Sequence, residues 1–265
     1  MAPVGVGPLV KRWRGHRRLS QLDLANVAGV SPKHLSFVET GRSRPSPELL
    51  LTLARHLEVP LRERNDLLLA AGYAPRFDET ELGSPTMAPV RDTLAVLLDR
   101  HDPYPGVLLD RCWNVVMANK AASLLAGLIP AELAGPPINL FRASLHPDGL
   151  AAHTRNFDDW ALYLLDQLRR LVNVTADPAL AELEREVLAY PTVVGSIADR
   201  RGRTDAPSAL VLSCELTVEG RDLSLLTTLT TFGSPLDITL DELMIELFYP
   251  TDDATASALA ELTGL

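Results

Sequence analysis

Through the first seventy-five positions, apolar residues recur every three or four residues in short bursts, and a helix-capping residue opens most of them. Residues 9–16 read as a first helix. Ser20 opens a second, with Asp23 three residues on in a capping-box pattern. Leu22, Leu24, Ala25 and Val27 give it an apolar face, and Gly29 ends it. Ser31-Pro32 starts a third, with proline where its missing N–H does no harm; Leu35 and Val38 point inward and Gly41 stops it. Ser46-Pro47-Glu48 repeats the device ahead of Leu49, Leu50, Leu53, Ala54 and Leu57. A fifth helix over 61–71 is closed by Gly72 and Pro75.

The pattern then changes. A stretch rich in Pro, Gly and charge, around residues 74–86, reads as a linker, which places a domain at 1–75, a linker at 76–87 and a second domain at 88–265. Val90, Leu94, Leu97 and Leu98 predict an amphipathic helix over 87–100. Residues 107–109 and 113–118 read as two strands across an Asp110-Arg111 turn, with a helix from about Asn119. Phe157, Trp160, Ala161, Leu164, Leu165 and Leu168 keep helical period, as do Leu180, Leu183, Val187 and Leu188. Residues 208–220 and 221–233 alternate around a Glu-Gly turn and predict a hairpin. A strand over 244–249 stopped by Pro250, and a terminal helix over 251–262, complete the chain. The expected class is α+β: five helices, then an antiparallel sheet cupped by helices.

Composition sharpens this picture. With 265 residues, 46% of them apolar, the chain can bury one large or two modest cores. The net charge of −9 divides unevenly: residues 1–75 carry 11 Lys and Arg against 6 Asp and Glu, and the remainder 14 against 28. A basic module ahead of an acidic one suggests that the first meets a polyanion and the second does something else. Cys112 and Cys214 stand far apart, which excludes a disulfide framework, points to a reducing cytoplasm and suits small packing residues better than redox sensors. No apolar run approaches the roughly 20 residues of a membrane helix, and the first basic residues follow apolar ones, the reverse of a secretory signal.

The stretch LSQLDLANVAGVSPKHLSFVETGRSRPSPELLLTLARHLEV resembles the Cro and phage-repressor (XRE) helix-turn-helix family without gaps. Ser20-Gln21, Leu24-Ala25, Gly29-Val30-Ser31, Leu35, Val38-Glu39, Gly41-Arg42, Pro45-Ser46 and Leu53-Ala54 carry the match. The resemblance implies that residues 31–40 enter the major groove of an operator, turning Ser31, Pro32, Lys33, His34, Ser36 and Phe37 toward bases or phosphates. Lys33 can donate to guanine; Phe37 either packs on a thymine methyl or is partly buried; Pro32 removes one donor. Gln21 matches a position that touches phosphate and braces the recognition helix. Arg42 and Arg44 suit phosphate clamping, with Arg17 and Arg18 weaker candidates. Arg14 and Glu39 match a family ion pair that is structural.

YPGVLLDRCWNVVMANKAASLL, supported by FGSPLDITLDELMIELFYPTD, resembles the MmyB-like ligand-binding domain of bacterial regulators, and the order of two strands, helices and three strands is like that of the Per-Arnt-Sim (PAS) fold. That resemblance implies a lipophilic pocket, with a long-chain fatty acid as its expected ligand. Trp113, Phe141, Phe157, Trp160, Leu164 and Phe232 are the candidate walls. Arg111, His146, Arg142 and Arg155 are candidates for the acid's carboxylate.

No nucleophile elbow, P-loop, dinucleotide fingerprint or compact metal motif occurs, and the His146, Asp148, His153 and Asp158-Asp159 group lacks metal-site spacing. The expectation is a non-enzymatic bacterial transcription regulator without cofactor. It binds double-stranded DNA as a homodimer on two half-sites, and a lipophilic effector adjusts that binding. The alternative is a regulator whose second domain is a ligand-free interaction or dimerisation module.

Overall fold

The computed structural model describes residues 5–200 and 211–265, and they form two units. The first unit holds five helices: α1 (Val6–His16), α2 (Gln21–Val27), α3 (Pro32–Glu39), α4 (Pro47–His56) and α5 (Leu61–Ala70). Their caps are those the sequence predicts. The Ser20 hydroxyl accepts from the Asp23 N–H while Asp23 reaches back, completing a capping box, and Ser31 and Ser46 accept from His34 and Leu49 N–H. Such caps each contribute about 1 kcal/mol. Val10, Trp13, Leu24, Leu35, Leu50, Leu53, Leu57 and Leu68 form a sealed core between the helices.

Residues 173–175 and 234–241 also belong to this unit. Pro60 gives α5 no side-chain cap, and the Leu61 N–H instead donates to Asp241 Oδ2 at 3.0 Å. Asp237 Oδ2 accepts from the Thr80 N–H, and the Ile238 N–H donates to the Asp78 carbonyl.

The second unit is a five-stranded antiparallel sheet with helices. After α6 (Ala88–Asp99) come β1 (Gly106–Leu109), β2 (Val115–Ala118), α7 (Lys120–Ala126), α8 (Leu140–Leu145), α9 (Phe157–Thr175), α10 (Pro178–Leu188) and α11 (Pro191–Arg200). Then follow β3 (Cys214–Val218), β4 (Arg221–Thr231), β5 (Met244–Pro250) and α13 (Asp253–Thr263); between β4 and β5 lies a helical turn, α12 (Ile238–Glu242), which falls in the first unit up to Asp241. The strand order β2-β1-β5-β4-β3 puts the last strand in the middle, so the sheet closes only when both ends of this unit meet. The chain is therefore α+β, with the PAS-like order that the strand pattern predicts.

Three local expectations change. Trp113 is not in a strand: it has φ 63°, because Asp110 accepts from the Cys112 and Asn114 N–H groups and curls the chain into a tight turn. The hairpin's first strand begins at Cys214; residues 208–210 of the stretch assigned to it lie outside the described residues. Helices α8 and α11 were not predicted, since one is only 6 residues long and the other carries Gly195 with β-branched neighbours.

Two glycines of α1 give opposite expectations. A Cβ on Gly7 would sit 2.5 Å from the Val38 carbonyl oxygen and 2.6 Å from that of Glu39, backbone atoms of α3 that cannot turn aside. Gly7→Ala should therefore destabilise the chain by about 1–3 kcal/mol in urea unfolding. Gly15 has nothing within 4 Å of its notional Cβ, and Gly15→Ala should stabilise by roughly 0.5–1 kcal/mol. Equal effects at the two sites would refute the close helix contact.

Candidate functional site

The first candidate site is the face of α3. Leu35, Val38 and Glu39 turn inward, which leaves Pro32 and Lys33 exposed and His34, Ser36 and Phe37 half-exposed on the opposite side. The Ser31 hydroxyl is engaged as the cap, accepting from the His34 N–H at 3.1 Å. Phe37 lies between two cations, with Lys33 Nζ 5.7 Å and the Arg42 guanidinium 5.9 Å from its ring centre. Phe37 is half-buried, the second of the two readings its sequence position allowed.

The helix is held from behind by charge. Arg14 donates twice to Glu39, at 2.6 and 3.0 Å, and Gln21 Nε2 donates to Glu39 Oε2 at 2.7 Å. Burial works against the Glu39 carboxylate, yet the Arg14 and Gln21 hydrogen bonds prevail and hold its pKa below the usual range. One carboxylate thereby ties α1, α2 and α3 together. Of the flanking arginines, Arg42 is exposed. Arg44 stacks 4.4 Å from the Tyr73 ring centre and donates to the Gly72 carbonyl, so it is oriented by the end of α5. Arg17 donates to the Leu57 and Glu58 carbonyls, which makes it a brace rather than a solvated cation.

The second site is a cavity of about 220 Å³ inside the second unit. Strand alternation puts Cys214 and Leu216 of β3, Leu225 of β4, Val107 of β1, and Glu246 and Phe248 of β5 on its sheet wall. A bulge between β1 and β2 pairs Leu109 with Val115 while Val107 pairs with Ala118, so Val115 and Ala118 both line the space. Ala122, Leu125 and Ala126 of α7 line another side; Leu140 and Ala143 of α8 and Trp160 and Leu164 of α9 line others. Buried asparagine caps fix two of these helices. Asn119 caps α7 and bonds to Gly106 and Tyr104; Asn139 caps α8 and donates to the Cys112 carbonyl.

Trp160 and Leu164 are the predicted pocket residues that reach this cavity. Trp113 and Phe141 stack on each other at 4.5 Å between ring centres and belong to the solid core. Phe157 packs at the margin of that core, and Phe232 is half-exposed at the end of β4. Aromatic size marks burial, but it does not distinguish a filled core from a cavity wall.

The candidate cations lie elsewhere too. Arg111 is paired with Asp177 and with Glu242 at 3.1 Å; burial opposes its charge, and the two carboxylates outweigh burial and raise its pKa. Arg142 makes a two-pronged pair with Glu186, which also accepts from the Tyr190 hydroxyl, and His146 packs edge-on against Tyr190. Arg155 pairs with Glu215 and Asp222. Such pairs are closed by nearby acids in an acidic unit, and a lone arginine in sequence does not disclose them.

The cavity wall includes an acid, Glu246, which the sequence reading passed over. It sits on the central strand, 2% exposed; Oε1 accepts from the Thr227 hydroxyl at 2.7 Å, and Oε2 has no partner among the described residues. Burial pushes its pKa up to about 7 against the pull of the Thr227 hydrogen bond. The legible signal was an acid between Met244 and Phe248 on the inward side of an apolar strand. Cys214 lines the same wall, its thiol pushed up to about 12 by burial and by the neighbouring Glu246 and Glu215. Burial also raises the Cys112 pKa, so neither cysteine is a poised thiolate.

A raised carboxyl pKa favours the folded state at low pH. Below about pH 4.5 Glu246 is protonated whether the chain is folded or not; between there and about pH 7 only the unfolded chain ionises, and stability falls. Glu246→Gln, which imitates the neutral acid, should match the wild type within about 1 kcal/mol at pH 5 and exceed it by roughly 2–3 kcal/mol at pH 8. Urea unfolding of both proteins at the two pH values measures this, and a gap independent of pH would refute a neutral buried Glu246.

Residues 10–64 match the family model described as helix-turn-helix, and residues 90–262 match that described as MmyB-like transcription regulator ligand binding domain. Among curated proteins, multiprotein-bridging factor 1 of Candida albicans is 36% identical over 62 residues, which cover 23% of this chain and 41% of that protein. Among solved structures, the clp gene regulator ClgR from Corynebacterium glutamicum is similar at 26% identity and a TM-score of 0.23, over 37% of this chain and 90% of that one. The PAS domain of Bordetella pertussis BvgS is similar at 16% identity and a TM-score of 0.28, over 66% of this chain and 96% of that one. With both halves matched, and the second over most of its length, the chain is a helix-turn-helix transcription regulator of the family that carries the MmyB-like ligand-binding domain.

Proposed function

We propose that this is a bacterial, cytoplasmic repressor-like regulator whose operator binding is adjusted by a small lipophilic molecule held in the cavity of the second unit. The observation that carries this reading is the cavity itself. An interior normally packs to crystal-like density, and a void of about 220 Å³ walled by apolar side chains is space that packing has left for something else. It exceeds the roughly 150 Å³ that accommodates benzene and falls short of the 300–1,000 Å³ of drug-sized sites. A medium-length aliphatic chain fits that interval. A fatty acid belongs to this class, and a long-chain one requires the walls to open further.

On DNA, Lys33 reads base edges with His34, Ser36 and Phe37 beside it, while Gln21, Ser31, Arg42 and Arg44 contact phosphates, and Pro32 adds shape without a donor. Two subunits present two α3 helices to successive major grooves about 34 Å apart. The effector acts by binding two arrangements of the dimer with different affinity, which shifts the population that grips the operator. The two family matches and the basic first half beside the acidic second support this division of labour.

Native mass spectrometry of protein purified from a bacterial host, before and after organic extraction, tests the effector. A bound lipophilic mass lost on extraction is the expected result; protein that stays empty when lipids are offered would overturn the reading and favour an interaction module. On the DNA side, Lys33→Ala should relax discrimination at one base pair, costing about 1–3 kcal/mol there. Arg42→Ala should weaken all sequences alike and flatten the salt dependence by about one unit of slope. Binding titrations over a range of salt separate the two roles, and uniform weakening by Lys33→Ala would remove it from base readout.

A further inference from the structure

We propose that Glu246 is the recognition group of the cavity and that it selects an apolar chain ending in an uncharged hydrogen-bond donor, an alcohol or a carboxylic acid in its neutral form. The inference rests on the reading that the cavity holds a ligand, and goes further by naming the head group that it takes.

Among the described residues the lining carries no lysine, arginine or histidine. Of its hydroxyls, Ser123 donates to the Asn119 carbonyl and Thr154 to the Leu150 carbonyl, each at 2.8 Å, and Ser144 lies on α8. Glu246 is different: Oε1 is engaged by Thr227, while Oε2 is buried in the wall without a partner. A buried polar atom left in that state is destabilising unless a donor reaches it, and the cavity is the open side from which one can arrive. A ligand whose head donates to Oε2 satisfies an atom that the fold leaves bare. A ligand of the same length that only accepts leaves it bare whenever the carboxyl is ionised, since a protonated Oε2 would itself donate.

The charge around Glu246 decides between neutral and ionised heads. From β3 it faces the Cys214 thiol, from β4 the Thr227 hydroxyl, from α9 the Tyr163 phenol, and from β1 the apolar Val107. Burial raises the pKa of both Cys214 and Tyr163, so both are neutral at physiological pH and neither offers a countercharge. An ammonium head would lose its hydration for a single buried carboxyl whose ionised form burial disfavours. A carboxylate head would meet an acid with no cation to balance the pair. It can enter only with a proton, so that two carboxyl groups share hydrogen bonds across the site. Fatty-acid binding therefore takes up a proton, and alcohol binding does not.

Decanol, its methyl ether and decanoate test this on the full-length protein, freed of co-purified lipid on a hydrophobic resin and titrated calorimetrically at pH 6 and pH 8. At pH 8, where Glu246 is largely ionised, decanol should bind at least about tenfold more tightly than the ether, one hydrogen bond's worth. The gap should narrow at pH 6, where a protonated Oε2 can donate to either oxygen. Decanoate should weaken at least about tenfold from pH 6 to pH 8. In Glu246→Leu the preference for alcohol over ether should vanish. In Glu246→Gln, which cannot ionise, the pH dependence of decanoate should shrink. Equal binding of alcohol and ether by the wild type at pH 8, or a preference that survives Glu246→Leu, overturns the head-group assignment and leaves the lipophilic cavity intact. Failure of every probe overturns both. Should the leucine variant not fold, the alcohol–ether comparison on the wild type and the pH dependence with glutamine still decide.

Discussion

Keeping one face of a five-stranded sheet out of water is the constraint from which the second unit follows. Alternation along every strand gathers Val107, Leu216, Leu225 and Phe248 on that face, and water must be excluded from it. Helices α7, α8 and α9 do the covering. Helices α7 and α8 are held at their starts by asparagine caps and hydrogen bonds, and α9 by its buried apolar face. The result is a rim of fixed helix ends around unfilled space. A rim secured by buried Asn119 and Asn139 can keep its shape whether the space inside is occupied or empty.

In the first unit, a single buried carboxylate does comparable work. Glu39 accepts from Arg14 and Gln21, so the recognition helix is tied to α1 and α2 at once. Removing either partner would leave charge stranded in the protein, and such a loss costs more than the pair adds over an apolar substitute. Its value lies in orientation: the outward face of α3 is set by an interaction on its inward face. Glu246 stands in contrast, since its described partner is the Thr227 hydroxyl and burial raises its pKa. The pKa values of two buried acids in one chain are thus shifted in opposite directions, and an arginine beside one of them accounts for the difference.

Much of the fold was legible because its determinants lie close together along the chain. Ser20, Ser31, Ser46 and Asn119 cap the helices that they precede, and the apolar spacing after each defines the buried face. The sheet strands were legible by alternation, except where Asp110 gathers the chain and moves Trp113 out of β2. The outward face of α3 was legible for the same reason, since inward and outward positions of one short helix are fixed by its period.

The cavity was not legible, and neither was its chemistry. Trp113 and Phe141 fill core while Trp160 lines space, although all three are large aromatics in similar surroundings along the sequence. Arg111 finds its acids 66 and 131 positions away, and α5 is capped from 180 positions away by Asp241. The amino-acid sequence by itself settled helices, strands, their capping and which side of each is apolar, because these depend on neighbours within about four residues. Only the tertiary structure decided which apolar side chains leave a void, which cations are neutralised, and that Glu246 faces that void with a bare oxygen. Those outcomes depend on distances between segments that the chain's local order does not encode.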